Sequence, residues 1–147
     1  LGLNKDFSNV SWYGRGPLEN YSDFKEHSPI GRYECAVKDM AHKYIKPQDS
    51  GNRGETRESV LIADNSKIIF KADGKAFSFN ANPFTLEQLK KGKHIEDLPD
   101  CDTVFTAVDG FVRGTGTGSC GPGPAKEHTI DFGYSKPLEY SFTFEVE

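Results

Sequence analysis

The chain has 147 residues and a formal net charge of −4, with eleven Phe, six Tyr and one Trp. That length allows one domain with a real core, and the acidic balance argues against nucleic acid, whose phosphates favour a basic stripe. No apolar run is long enough to cross a membrane and no signal peptide opens the chain, so a soluble protein is expected, with nothing to choose between cytoplasm and periplasm. The chain opens Leu1-Gly2-Leu3 without Met and closes on Glu147 directly after a strand-like run, and it reads as a piece of something longer.

β-Rich and period-two runs predict strands at 7–13 and 30–37. Between and after them lie two dense polar-aromatic segments. The first is Trp12-Tyr13-Gly14-Arg15-Gly16-Pro17-Leu18-Glu19-Asn20-Tyr21-Ser22-Asp23, and the second is Tyr44-Ile45-Lys46-Pro47-Gln48-Asp49-Ser50-Gly51-Asn52-Arg53, with Arg57 close behind. Gly14, Gly16 and Pro17 exclude a helix from the first, and Pro47, Gly51 and Gly54 from the second. Loops this rich in aromatic residues must be ordered against a sheet, another domain or a ligand.

Strands follow at 59–63 and 67–72, joined by a hairpin turn at Asp64-Asn65-Ser66. Another is expected around Phe77 and Phe79. A short helix near 86–91 has Thr85 as N-cap, Gln88 completing a capping box, Leu86 and Leu89 inward, Lys90 and Lys91 at the negative end and Gly92 as its stop. The basic cluster Lys90-Lys91-Gly92-Lys93-His94 is followed at once by Glu96, Asp97, Asp100 and Asp102, and so reads as the charged end of that helix. A strand at 103–112 precedes the run from Arg113 to Pro124, where five Gly and two Pro in twelve residues make a loop with little side-chain mass. Tyr140, Phe142, Phe144 and Val146 alternate with polar residues in a last strand. The pattern predicts an all-β fold, an antiparallel β-sandwich with one short helix near 86–91.

Candidate chemistry is sparse. Glu19 and Asp23 are carboxylates of the kind an acid/base pair uses, but a structural role is preferred, with Glu19 pairing with Arg15 or a backbone amide to pin the loop. Cys120 and His128 lack any local signature of a Cys-His nucleophile. Gly114-Thr115-Gly116-Thr117-Gly118 lacks the Lys of a phosphate-binding loop and the strand-to-helix context of a dinucleotide fingerprint. His27, His42, His94 and His128 show no ligand spacing. Cys35, Cys101 and Cys120 form no C-x-x-C pair, which leaves one disulfide with a spare thiol or three free thiols. Aromatic rings beside Asn, Gln, Arg and Asp suit a carbohydrate, although Trp12, Tyr13, Tyr21 and Tyr44 are better read as packing residues beneath ordered loops.

The two polar-aromatic segments closely resemble motifs of the large β-galactosidases of glycoside hydrolase family 2. Trp12 to Asp23 is similar to W-[FY]-G-R-G-P-x-E-N-Y-x-D in their C-terminal "small chain" domain, and Tyr44 to Arg57 to Y-x-x-P-x-x-x-G-x-R-x-x-x-R. The order continues with Phe77-Ser78-Phe79, then Pro83-Phe84-Thr85, Glu87-Gln88-Leu89 and His94. Asp109-Gly110-Phe111 followed by Gly114-Thr115-Gly116 resembles a late D-x-x-x-x-G-x-G-G loop. The resemblance covers nearly the whole chain.

This resemblance implies a single domain over 1–147, a C-terminal part of a galactose mutarotase-like supersandwich, with exposed edges where completing strands lie elsewhere. It implies a parent β-galactosidase, a retaining hydrolase of terminal β-D-galactosyl residues, whose two catalytic glutamates sit in a separate TIM barrel. Catalytic residues are then absent from this chain, which alone is expected to be inactive. No cofactor is expected here, while Mg²⁺ and Na⁺ are expected in that catalytic domain. Expected partners are other domains of the same polypeptide and the β-galactoside substrate, with a homo-oligomeric parent left open. The late Gly-rich loop would line the substrate entrance, which makes Cys120, Ser119 and Gly118 the expected substrate-binding residues. Many relatives carry a sugar-stacking Trp where Cys120 stands, so an altered preference for the leaving-group sugar follows. Two other classes compete: a carbohydrate-binding module with its own sugar site, and a purely structural domain for interdomain or subunit contacts.

Overall fold

Period-two alternation decides which side chains meet. In the computed structural model, which describes residues 1–99, 101–116, 121–131 and 137–147, strand β2 (Asn9–Arg15) buries Val10, Trp12 and Gly14 on one face. Its neighbours continue the same rows. β3 (Ile30–Ala36) sets Tyr33 beside Trp12 and Cys35 beside Val10. β5 (Glu58–Ala63) sets Ser59 beside Trp12 and Leu61 beside Val10. β6 (Ser66–Ala72) adds Phe70 and Ile68, and β9 (Phe142–Val146) adds Phe144 and Val146. These strands make one antiparallel sheet of order β3-β2-β5-β6-β9.

The facing antiparallel sheet has the order β1-β8-β7-β4. β7 (Phe77–Asn82) turns Phe77, Phe79 and Ala81 inward and Ser78 and Asn80 outward, and β8 (Thr103–Asp109) contributes Val104. β1 (Gly2–Asn4) and β4 (Arg53–Thr56) flank them. Phe77 and Phe79 are 2% and 0% exposed, and each contributes about 1.5–3 kcal/mol of burial. Val10, Trp12, Leu61, Ile68 and Phe70 from one sheet and Phe77, Phe79, Ala81 and Val104 from the other form a single core. Fold class is therefore as expected. The row ends unevenly, because Phe144 and Val146 lie on the inner-face rows of β9 yet are 64% and 68% exposed.

Helix α1 (Leu86–Lys91) carries the full capping box, with Thr85 Oγ1 accepting from the Gln88 amide and Gln88 Oε1 accepting from the Thr85 amide. It ends at Gly92. Leu89 packs inward as expected, but Leu86 is 57% exposed, and other elements also depart from the sequence reading. β2 starts later and runs through Gly14 to Arg15, because Gly14 sits where β2 crosses β4: a Cβ there would stand 2.7 Å from Thr56 Cα. Gly14 and Arg15 are thus strand, not loop, continuing the strand expected through Tyr13. Ser66 pairs with Ala63, so the hairpin turn is only Asp64-Asn65. β8 stops at Asp109, and Val37–Asp39 is a 3-10 turn rather than strand. β1 and β4 were not anticipated: β1 is only three residues long, and β4 contains Gly54 and a bulge between Arg53 and Thr56, where Glu55 has φ +49°.

Two substitutions test this packing. Thr85→Ala removes the cap and is expected to cost about 1 kcal/mol. Gly14→Ala forces two sheets apart against backbone and is expected to cost about 1–3 kcal/mol. Both should lower the urea midpoint without changing the slope, and an unchanged midpoint for Gly14→Ala would remove the proposed crossing.

Candidate functional site

Backbone groups in irregular segments need partners, and Glu19 supplies them across a long gap in sequence. Glu19 Oε1 accepts from the Tyr44 hydroxyl at 2.5 Å, and Oε2 accepts from the Gly51 amide at 2.8 Å. The Tyr21 hydroxyl leans on the same Oε2 at 3.4 Å. The carboxylate pushes the Tyr44 phenol up to about 12, first through this hydrogen bond, then with help from burial. Burial first, then the charges of Glu19 and Asp49, hold Tyr21 well above the ordinary phenol value. Both hydroxyls therefore stay protonated donors at neutral pH.

Asn20 repeats the device one residue on. Its amide donates to Asn52 O at 2.9 Å, its Oδ1 accepts from the Gly54 amide at 2.8 Å, and its carbonyl accepts from Asn52 Nδ2 at 2.6 Å. Arg53 is 3% exposed and makes no salt bridge among the described residues. Its guanidinium donates to Gly51 O and Met40 O and lies 5.2 Å from the Trp12 ring centroid, so carbonyls and a π face replace a counter-ion. Arg15 turns the other way, donating to Lys25 O and Ser28 O while its Nε faces Glu55 at 2.9 Å. Lys25 meets the same Glu55 oxygen at 2.8 Å.

Asp23 reaches the Gly-rich loop. Its Oδ1 accepts from the Thr115 amide at 2.9 Å and its Oδ2 from the Gly116 amide at 2.8 Å. Two successive amides aimed at one carboxylate form an anion nest. Gly116 has φ +77°, and a Cβ on Gly114 would stand 2.7 Å from the carboxylate, so glycine is required at both. The Gly114 amide is tied to His128 O at 2.9 Å. Burial opposes ionisation of Asp23, but the two loop amides and the nearby His128 outweigh it and hold the carboxyl below its ordinary value. The clamp is therefore complete above the ordinary carboxylate range and is lost as pH falls through the depressed value.

The expected carboxylate pair is thus divided between two tasks. Glu19 grips the Gly51 amide and Tyr44, not Arg15, whose partner is Glu55. Asp23 grips the loop. Trp12 is core, Tyr13 lies between the Arg32 and Arg57 guanidiniums at 5.0 and 5.6 Å, and Tyr21 and Tyr44 serve Glu19. They are the packing residues expected beneath ordered loops. Cys35 and Cys101 are free thiols. Cys120, Ser119 and Gly118, the expected substrate-binding residues, lie outside the described residues. Among the described residues no group of three His, Cys, Asp or Glu side chains is placed to hold a metal ion, and no helix is long and apolar enough to cross a membrane. Asp49, Asn80, Asn82 and Asp109 line one cleft, which draws Asp49 and Asp109 from two separate motifs and Asn80 and Asn82 from none. The alternation of Asn80 with Phe79 and Ala81 was the one available signal, since it sends that amide outward.

Replacing Glu19 tests the hub. Gln keeps a single acceptor oxygen, so either Tyr44 or the Gly51 amide loses its partner. Glu19→Gln is expected to cost about 1–3 kcal/mol and to bring the Tyr44 phenol down from about 12, read by tyrosinate absorbance during an alkaline titration. A Tyr44 that titrates as before rejects the assignment.

Comparison with known proteins places these features in a family. The model for the beta galactosidase small chain matches residues 1–145. A beta-galactosidase of Lactococcus lactis subsp. lactis (strain IL1403) is 36% identical over 145 residues, covering 97% of this chain and 14% of the relative. One from Streptococcus thermophilus is 32% identical over 148 residues, covering 100% and 14%, and one from Staphylococcus xylosus is 30% identical over 145 residues, covering 99% and 14%. The chain therefore spans about 14% of the length of these relatives. With a match running nearly end to end over the Glu19 hub, the Asp23 clamp and both sheets, this chain belongs to the β-galactosidase small chain family.

Proposed function

We propose that the chain is a non-catalytic C-terminal domain of a glycoside hydrolase family 2 β-galactosidase, in a galactose mutarotase-like sandwich. In this reading a separate barrel domain hydrolyses terminal β-D-galactosyl residues by the retaining route, and any Mg²⁺ or Na⁺ binds there. The domain supports that barrel and lends its Gly-rich loop, with Gly118, Ser119 and Cys120, to the substrate entrance.

The observation that carries the reading is the Asp23 clamp. A loop of glycines has little side-chain mass and high conformational entropy, yet Thr115 and Gly116 are bound through their amides to a carboxylate about ninety residues earlier in the chain. Such a clamp is useful where a loop must present itself at a defined place. The relatives, named as β-galactosidases and far longer than this chain, give the parent activity its support. The carboxylate oxygens of Glu19 and Asp23 are occupied by structural donors, which suits a domain without its own acid/base pair.

The test is hydrolysis of lactose and of a chromogenic β-galactoside by the full-length parent. Asp23→Ala frees the loop and is expected to raise KM about tenfold with a smaller change in kcat, in the pattern of lost substrate positioning. Cys120→Trp is expected to shift KM for lactose more than for the chromogenic substrate. The chain alone should be silent. An active chain, or an Asp23→Ala parent with unchanged kinetics, would defeat the proposal.

A further inference from the structure

A cleft of about 570 Å³ opens on the outer face of the four-stranded sheet, away from the core. β8 gives its outward Phe105, Ala107 and Asp109 and β7 its outward Asn80, while Asn82 stands at the end of β7 paired beside Phe105. Phe84 and α1 close one wall, and Asp49 stands on another. Cavities of this order, about 300–1,000 Å³, hold small ligands. The Glu19 hub and the Asp23 clamp leave this cleft unexplained.

Two deeply buried amides end in it with one polar atom unused. Asn82 is 6% exposed, and its Oδ1 accepts from the Phe84 amide at 3.0 Å. Its Nδ2 makes no hydrogen bond to another described residue and faces the open cleft. Asn52 is also 6% exposed, and its Nδ2 donates to Asn20 O at 2.6 Å. Its Oδ1 makes no hydrogen bond to another described residue. The partners fix both amide orientations, since Phe84 N–H needs an acceptor and Asn20 O needs a donor. One unused donor and one unused acceptor therefore line the same cavity, beside Asn80 Oδ1, which is buried without a hydrogen bond.

The lining decides which ligand satisfies both. Among the described residues Asp49, Glu87 and Asp109 line the cleft and no Lys, Arg or His does, which disfavours an anion. A cation would match the carboxylates but offers no acceptor to Asn82 Nδ2. An apolar ligand would leave every polar group dry. A hydroxyl both donates and accepts, and a pyranose ring carries an apolar C–H face suited to an aromatic ring. Partial burial, then the charge of Glu19 for Asp49 and of Asp49 for Asp109, raise both carboxyls above their ordinary values, against a smaller opposing pull of the N-terminal ammonium on Asp109.

We infer that this cleft binds a neutral pyranoside, with Asn82 Nδ2 donating to its hydroxyls, Asn52 Oδ1 and the Asp49 and Asp109 carboxylates accepting from them, and Phe84 and Phe105 against its ring. The site goes beyond the preceding reading, because it is built from this chain's own residues and needs no catalytic barrel.

The experiment is a titration of the ¹⁵N-labelled 147-residue chain with methyl β-D-galactopyranoside and methyl β-D-glucopyranoside, followed by NMR. Saturable binding of at least one, with shifts in the side-chain NH₂ signals of Asn82 and Asn52, is expected. Ala107→Leu fills the cleft from an exposed strand position without touching a hydrogen bond, and is expected to weaken binding about tenfold or more with an unchanged spectrum elsewhere. Asn82→Ala should weaken it similarly. No saturable binding, binding indifferent to Ala107→Leu, shifts confined to the Gly-rich loop, or tighter binding of methylammonium than of either sugar would each overturn the assignment. Because the read-out is binding by this chain, it stands or falls separately from hydrolysis by the parent.

Discussion

Glu19 and Asn20 join the irregular run that follows β2 to the one that precedes β4, and the rest of the irregular half of the molecule depends on that junction. A loop leaves amides and carbonyls without the partners a helix or sheet provides. Here the Gly51 and Gly54 amides, the Asn52 carbonyl and the Asn20 carbonyl are all matched by groups from the opposite segment. The junction lies at the end of β2 and the start of β4, the two strands that cross most closely at Gly14 and Thr56. Core packing and polar cross-linking therefore reinforce one another at one corner of the sandwich.

Function-bearing geometry extends from that corner in two directions. Asp23 follows Asn20 by a single short turn, in which Tyr21 and Phe24 pair through their backbones, and it captures the Gly-rich loop. Asn52 follows Gly51 into the other segment and leaves its Oδ1 at the wall of the outer cleft. One cross-link thus positions both a loop proposed for a neighbouring active site and a cavity of this chain's own. The bulge at Glu55 belongs to the same arrangement. Its left-handed backbone is uncommon for a residue with a side chain, and the Arg15 and Lys25 charges converge on its carboxylate.

Much of the architecture was legible because it rests on local rules. Alternation located β5, β6, β7 and β9, and the capping box located α1 to the residue. The two early motifs pointed to the family, which the end-to-end match established. Legibility failed where a non-local contact overrides a local signal. Gly14 reads as a breaker but is a strand residue that lets two sheets touch. Gly54 and a bulge concealed β4, and β1 was too short to carry a pattern. Of the two partners expected for Glu19, Arg15 or a backbone amide, the fold selects the Gly51 amide, while Arg15 is drawn to Glu55, forty residues away in sequence.

What the sequence determined by itself is what depends on neighbours along the chain: the strand period, the helix cap, the hairpin turn and the motif content that marks the family. Which carboxylate holds which amide was decided only by tertiary structure, because Glu19 and Gly51, Asp23 and Gly116, and Asn82 and Asn52 lie far apart in sequence and are brought together by sheet packing. The same reason hides the outer cleft. Its two unpartnered amides become meaningful only once their other atoms are seen to be taken, and that is a property of the folded surroundings rather than of any run of residues.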